Sequence, residues 1–135
     1  MGMLMRNRKC YTGKVRDRSQ YSTTEQVTGE YWIDGKPIYR KVFVDTVPTT
    51  AGTSTRISIG ASVDKAINIG GFFLNNENKV SYPIGYIGAT NTPLSYVMAT
   101  VRTDGDTTAP NTIQYASSYN NGTIYFIIEY TKTTD

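Results

Sequence analysis

Residues 27–44 read V-T-G-E-Y-W-I-D-G-K-P-I-Y-R-K-V-F-V, and they set the fold class. Residues 27–33 predict one strand and residues 38–44 a second, with Asp34-Gly35-Lys36-Pro37 between them. Asp-Gly is a strong turn dipeptide: glycine accepts positive φ and aspartate bonds its own backbone. Pro37 has no N–H to give to a ladder, so it suits the exit from the turn. The hairpin sets an antiparallel, all-β frame for the rest of the chain.

Beyond the hairpin, short runs recur between Gly, Pro, Asn and Asp punctuation. Residues 56–59 alternate isoleucine with polar side chains. Residues 66–74 are apolar on both faces, with Gly70-Gly71 marking a bulge or a close backbone approach. Asn75-Asn76-Glu77-Asn78 reverses the chain, and residues 80–87 form a strand broken at Pro83 and Gly85. Residues 95–102, 112–116 and 123–132 complete the set. The best helical candidate, residues 62–67, is barely one turn. Threonine occurs 20 times and tyrosine 11 times, and both fit a pleated surface. The expectation is an all-β, antiparallel β-sandwich, jelly-roll-like, with seven or eight short strands. It occupies residues 21–135, with residues 46–55 as a loop inside it.

Residues 1–20 differ. They hold six basic residues against Asp17 alone, a net +5, while the formal charge of the whole 135-residue chain is +3. The remainder therefore carries −2 (eight basic, ten acidic). This basic N-terminal arm can bind nucleic acid or an anionic surface through phosphate contacts, or be a solvated segment that bridges to something else. No stretch has the roughly 18–20 apolar residues of a membrane helix, and the apolar Met1-to-Met5 start has its charges on the wrong side for a signal peptide.

Composition also limits the chemistry. The chain has no histidine and one cysteine, Cys10. That removes Ser-His-Asp and Cys-His catalysis, His- or paired-Cys zinc sites and an intrachain disulfide. No spacing of the carboxylates suggests a glycosidase pair. Asp104-Gly105-Asp106 has the look of a calcium-loop fragment, but the further ligands at fixed offsets are absent. Gly85-Tyr86-Ile87-Gly88 lacks the lysine and helix of a phosphate loop. These features point to a non-enzyme without cofactor or metal.

Binding candidates are aromatic: Trp32, Tyr86, Tyr96, Tyr115 and Tyr119 join flat apolar faces to polar handles. Most are expected to be cross-strand packing residues, and Trp32 a core anchor. Tyr119, Asn120, Asp104, Asp106 and Tyr86 are the candidate ligand-binding set. In the last strand, Ile124, Phe126, Ile128 and Tyr130 oppose Tyr125 and Ile127, so both faces start apolar. A two-sheet sandwich has one interior. The second apolar face can be covered by loops of the same chain folded over one sheet or by a neighbouring copy. The copy is favoured, which puts Tyr125, Ile127 and Phe73 at an interface where each buried side chain contributes roughly 1.5–3 kcal/mol before association costs.

Residues 21–44 and the ending I-E-Y-T-K-T-T-D (residues 128–135) resemble a C-terminal module of bacteriophage and prophage tail-fibre, baseplate and minor structural proteins. W-I-D-G-K-P-I-Y-R-K (residues 32–41) is its most specific part, and the middle of the chain matches less well. The resemblance implies a virion protein without catalytic residues: a homotrimeric, receptor-binding fibre tip contacting host-surface polysaccharide, made in the bacterial cytoplasm. It implies other virion proteins as partners and neither nucleic acid nor membrane insertion. The alternative is an adaptor, capping or head/tail accessory protein with no ligand, docking through its basic arm.

Overall fold

A computed structural model describes residues 20–47, 52–88 and 95–135. Among these there are nine strands and no helix, arranged as two antiparallel sheets. The arm and Cys10 lie outside the described residues, apart from Gln20. The strands are β1 (Gln26–Tyr31), β2 (Pro37–Thr46), β3 (Thr55–Ser58), β4 (Val63–Asn75), β5 (Ser81–Pro83), β6 (Tyr86–Gly88), β7 (Ser95–Arg102), β8 (Thr112–Ser117) and β9 (Gly122–Lys132). One sheet runs β1-β2-β9-β4-β5, the other β3-β8-β7-β6. The chain changes sheet from β2 to β3, from β3 to β4, from β5 to β6 and from β8 to β9, as in a jelly roll, whereas β6-β7-β8 is a plain meander.

The hairpin forms where its turn chemistry puts it. Trp32 and Lys36 close the loop (Trp32 N–H to Lys36 O, 2.9 Å), and the Gly35 N–H, at φ +86°, returns to Trp32 O. The Asp34 carboxylate accepts the Lys36 N–H at 3.0 Å. Trp32 sits half-buried at this turn and is not one of the core residues, contrary to its expected role as an anchor. The reason is position: β1 ends at Tyr31, one residue before it.

β4 is the longest strand. It absorbs the supposed helical candidate, and bulges between Val63 and Lys65 and between Ala66 and Asn68 keep it on β9. Gly71 (φ +127°) lets the backbones meet: a Cβ there would lie 1.9 Å from the Tyr125 carbonyl oxygen. This is the close approach that Gly70-Gly71 predicts, with the bulges lying a few residues earlier. The broken strand of residues 80–87 becomes two strands in different sheets. At the break, the Ile84 N–H bonds Gly71 O in one sheet and the Gly85 N–H bonds Val97 O in the other. Proline and glycine act here as a crossover.

β9 lies at the centre of the five-stranded sheet, and its Ile124, Phe126, Ile128 and Tyr130 are fully buried. They meet Phe43, Val63 and Phe73 from the same sheet and Val97, Ile113 and Tyr115 from the other. The Tyr115 and Phe126 rings, 5.2 Å apart, join the layers. Both buried tyrosines satisfy their hydroxyls. Tyr115 donates to Asp45 (2.6 Å) and Tyr130 donates to Glu25, which also accepts from the Lys132 ammonium.

Candidate functional site

The register of the five-stranded sheet builds an apolar stripe on its outer face. Tyr125 of β9 lies between Val44 of β2 and Phe72 of β4, and Ile127 lies between Val42 and Gly70. Leu74, beside Thr123, extends the stripe at one corner. The Phe72 and Tyr125 rings stack at 4.8 Å with 27° between planes. Val44 is 49 % exposed, while Val42, Phe72, Leu74, Tyr125 and Ile127 are half-buried. There is no third layer of strands among the described residues. The stripe ends at Arg40 and Glu129, whose side chains neutralise each other at 3.4 Å, and at Thr46 and Thr123. Tyr21 lies over the Arg40 guanidinium, 4.6 Å from it.

Two of the three expected interface residues, Tyr125 and Ile127, are on this face. Phe73 is not. It pairs with Ile124, points inward and is fully buried, so Phe72 takes the outer position instead. Alternation separates the two phenylalanines but does not say which side is inside; only pairing with β9 does that.

The candidate ligand residues divide between opposite ends of the sandwich. Tyr119 and Asn120 follow β8, whereas Asp104 and Asp106 precede it. A strand of six residues holds the two pairs on the order of 17–20 Å apart. They therefore do not form one site within a chain.

At the first end, Tyr86 and Tyr119 do come together, through Tyr82. The Tyr82–Tyr119 centroids are 4.5 Å apart and Tyr82–Tyr86 5.1 Å. Tyr119 also stacks on Phe73 at 5.8 Å. These rings close the end of the core and spend much of their flat area on each other. Tyr115 is wholly core. Asn120 is exposed, and the adjacent Asn121 is tied to Asn76 of the β4–β5 turn through its carbonyl and side chain.

At the other end the two aspartates organise their own loop. Asp106 accepts N–H groups from Thr108 (3.0 Å) and Ala109 (2.7 Å) and pairs with the Arg102 guanidinium at 3.0 Å. The Ala109 N–H, foremost among these contacts, lowers its pKa below the ordinary aspartate value. Asp104 accepts from the Asn111 amide at 3.0 Å, and Asn111 in turn takes the Val63 N–H. These are loop-ordering bonds. No group of three acidic or thiol side chains converges as a metal set among the described residues.

A polar clamp marks the end of β9. The Tyr39 hydroxyl donates to Asp135 at 2.7 Å, and the Lys132 ammonium lies 4.2 Å from the Tyr39 ring. The hydrogen bond to Asp135, above all, pushes the Tyr39 pKa up to about 12. Lys36 bridges Asp64 (3.1 Å) and the Lys132 carbonyl (3.2 Å). Each group has an evident structural partner, so the clamp reads as a fastening and not as a reactive centre. Among the described residues, no strand packs over the outer stripe. Comparisons with protein-family models, with curated proteins and with solved structures return no match to this chain.

Proposed function

We propose that the protein is a non-enzymatic structural module of a bacteriophage virion, working as a homo-oligomer at a tail-fibre tip that touches host-surface glycans. The observation that supports this reading is the apolar stripe of Val42, Val44, Phe72, Tyr125 and Ile127. An uncovered apolar patch on a sheet marks an interaction surface. Its two flanking charges, Arg40 and Glu129, cancel, so a second copy meets no like-charge repulsion. Copies of the chain are thus the fitting occupants, and three is the number that the fibre-tip resemblance implies. Assembly brings several weak glycan contacts to one particle, and avidity then does the work of affinity.

The test is a glycan array probed with the wild-type chain and with a doubly substituted Val44→Glu, Ile127→Glu chain. Glycan binding is expected for the former, and its loss for the latter at equal chain concentration. Equal binding by both overturns the proposal.

A further inference from the structure

The outer face of the four-stranded sheet carries a shallow, open groove of about 330 Å³, lined by Ser54, Met98, Thr100, Arg102, Gln114 and Ala116. Strand register puts these side chains on one surface. Met98 faces Ala116 across β7–β8, Thr100 faces Gln114, and Arg56 of β3 faces Gln114 from the other side. The residues between them, Val97, Ile113 and Tyr115, are core.

The polar groups are fixed before any ligand arrives. The Arg102 Nε donates to Gln114 Oε1 at 2.7 Å, and a terminal nitrogen of Arg102 donates to Asp106 at 3.0 Å. The Gln114 amide nitrogen donates to the Ser54 hydroxyl at 2.8 Å. A guanidinium has five N–H groups. Arg102 thus keeps donors to spare while its orientation is held by two partners. The Arg56 side chain is exposed and makes no hydrogen bond or ion pair among the described residues. Arg102 is the one charged residue of the lining, with its charge offset by Asp106, and Arg56, paired with Gln114 on the neighbouring strand, adds an uncompensated positive charge at the groove's edge. Met98, 43 % exposed, and Ala116 give it an apolar strip.

This combination selects a ligand class. Surplus N–H donors and positive charge ask for oxyanions, which arginine grips in bidentate fashion. The apolar strip asks for a flat C–H surface beside them. The openness suits an extended chain better than an isolated small molecule, which needs deeper enclosure. Arg56 and Arg102 lie on strands two spacings apart, roughly 10 Å, so both are engaged only by a ligand longer than one sugar ring.

We infer that this groove binds a segment of a carboxylated polysaccharide, with carboxylates taken by Arg102 and Arg56 and a sugar face laid on Met98 and Ala116. The inference rests on the adhesive role proposed above and names the chemistry of the ligand and its place on the fold.

Calorimetric titration of the full chain tests it with three probes: oligogalacturonate, a neutral galactose oligomer of equal length, and inorganic phosphate. Oligogalacturonate is expected to bind, with the neutral oligomer at least tenfold weaker. Arg56→Gln and Arg102→Gln should each weaken binding about tenfold, an amount equal to about 1.4 kcal/mol. Thr100→Trp, which fills the groove from an exposed position, should abolish it. Arg56→Gln disturbs no internal bond, so its result stands even if Arg102→Gln loosens the Asp106 loop. Equal binding of charged and neutral oligomers overturns the inference, as does no binding of oligogalacturonate or an unchanged affinity in Arg56→Gln. Phosphate displacing oligogalacturonate at equal concentration overturns the choice of carboxylate. Light scattering on the same samples separates the two proposals. An oligomer without groove binding defeats this inference alone, and a single-chain mass defeats the adhesive assembly beneath it.

Discussion

Phe72 and Phe73 are neighbours in the chain that face opposite sides of the sheet. Phe72 stacks on Tyr125 in the outer stripe, 4.8 Å between centroids, while Phe73 is fully buried and stacks on Tyr119. Strand alternation makes this unavoidable. The consequence is that one strand commits apolar side chains to two different environments, the sandwich interior and the outer face of the sheet.

The pair should separate stability from assembly. Phe73→Ala removes a fully buried ring and is expected to cost about 3–5 kcal/mol in chemical denaturation. Phe72→Ala should change the unfolding free energy of the isolated chain by less than about 1.5 kcal/mol and weaken self-association. Equal destabilisation by the two would show that Phe72 is not a surface residue.

Gly71 offers a backbone test. Its Cβ in alanine would meet the Tyr125 carbonyl oxygen at 1.9 Å, and its φ of +127° is unfavourable to any side chain. Gly71→Ala should destabilise by about 3 kcal/mol, the upper part of the usual range for single substitutions. Gly85→Ala, with open space around the added methyl, should cost only the conformational strain of about 1–2 kcal/mol. Thermal melts of the two variants decide the order.

Much of this architecture is legible in the sequence. Residues 95–102 coincide with β7, and Asp34-Gly35 forms the turn that its chemistry predicts. The break at Pro83 and Gly85 is visible too, but its meaning is not. That β5 and β6 belong to different sheets depends on what each pairs with, which local propensity does not encode. The same limit explains Phe73. Period-2 alternation defines two faces and leaves open which one is interior. It explains the split candidate site as well: Asp104 and Tyr119 are close in sequence, yet β8 places them at opposite ends. The groove shows in the sequence only as the alternation of Met98, Thr100 and Arg102 against Val97, Ala99 and Val101, a pattern that marks an outer face without saying that a hollow forms there.

Stability should fall in alkali. Tyr39 has its pKa pushed up from 10.0 to about 12, first by its hydrogen bond to Asp135. Tyr115 and Tyr130 are raised as well, chiefly by burial and then by bonds to Asp45 and Glu25. A raised folded-state pKa means that the neutral phenol is the form the fold favours. For Tyr39 its contribution is complete below pH 10.0 and is lost as pH rises through the folded-state value, a window from 10.0 to about 12. Melting temperature against pH should decline across it, and less steeply in Tyr39→Phe. A wild-type profile flat to the top of that window would contradict the clamp.

Acid should act through the opposite sign. Asp64 is held below its ordinary value of 3.8 by hydrogen bonds from Lys65 and then Lys36, and Asp106 by the Ala109 N–H first. A depressed pKa contributes stability above the unfolded-state value, lost as pH falls through the folded one. Melting temperature should therefore drop on acidification below pH 3.8, with Asp106→Asn and Asp64→Asn giving shallower profiles. Because solvent reaches both carboxylates, the effect should also shrink in high salt.

Whether the outer stripe joins copies of the chain is decided by sedimentation equilibrium of the full chain at micromolar concentration. The expected mass is three times 15.0 kDa, falling to 15.0 kDa when Val44 and Ile127 are both replaced by glutamate. A wild-type chain that sediments at 15.0 kDa across the micromolar range would refute the assembly, because the outer stripe would then be an ordinary solvated face.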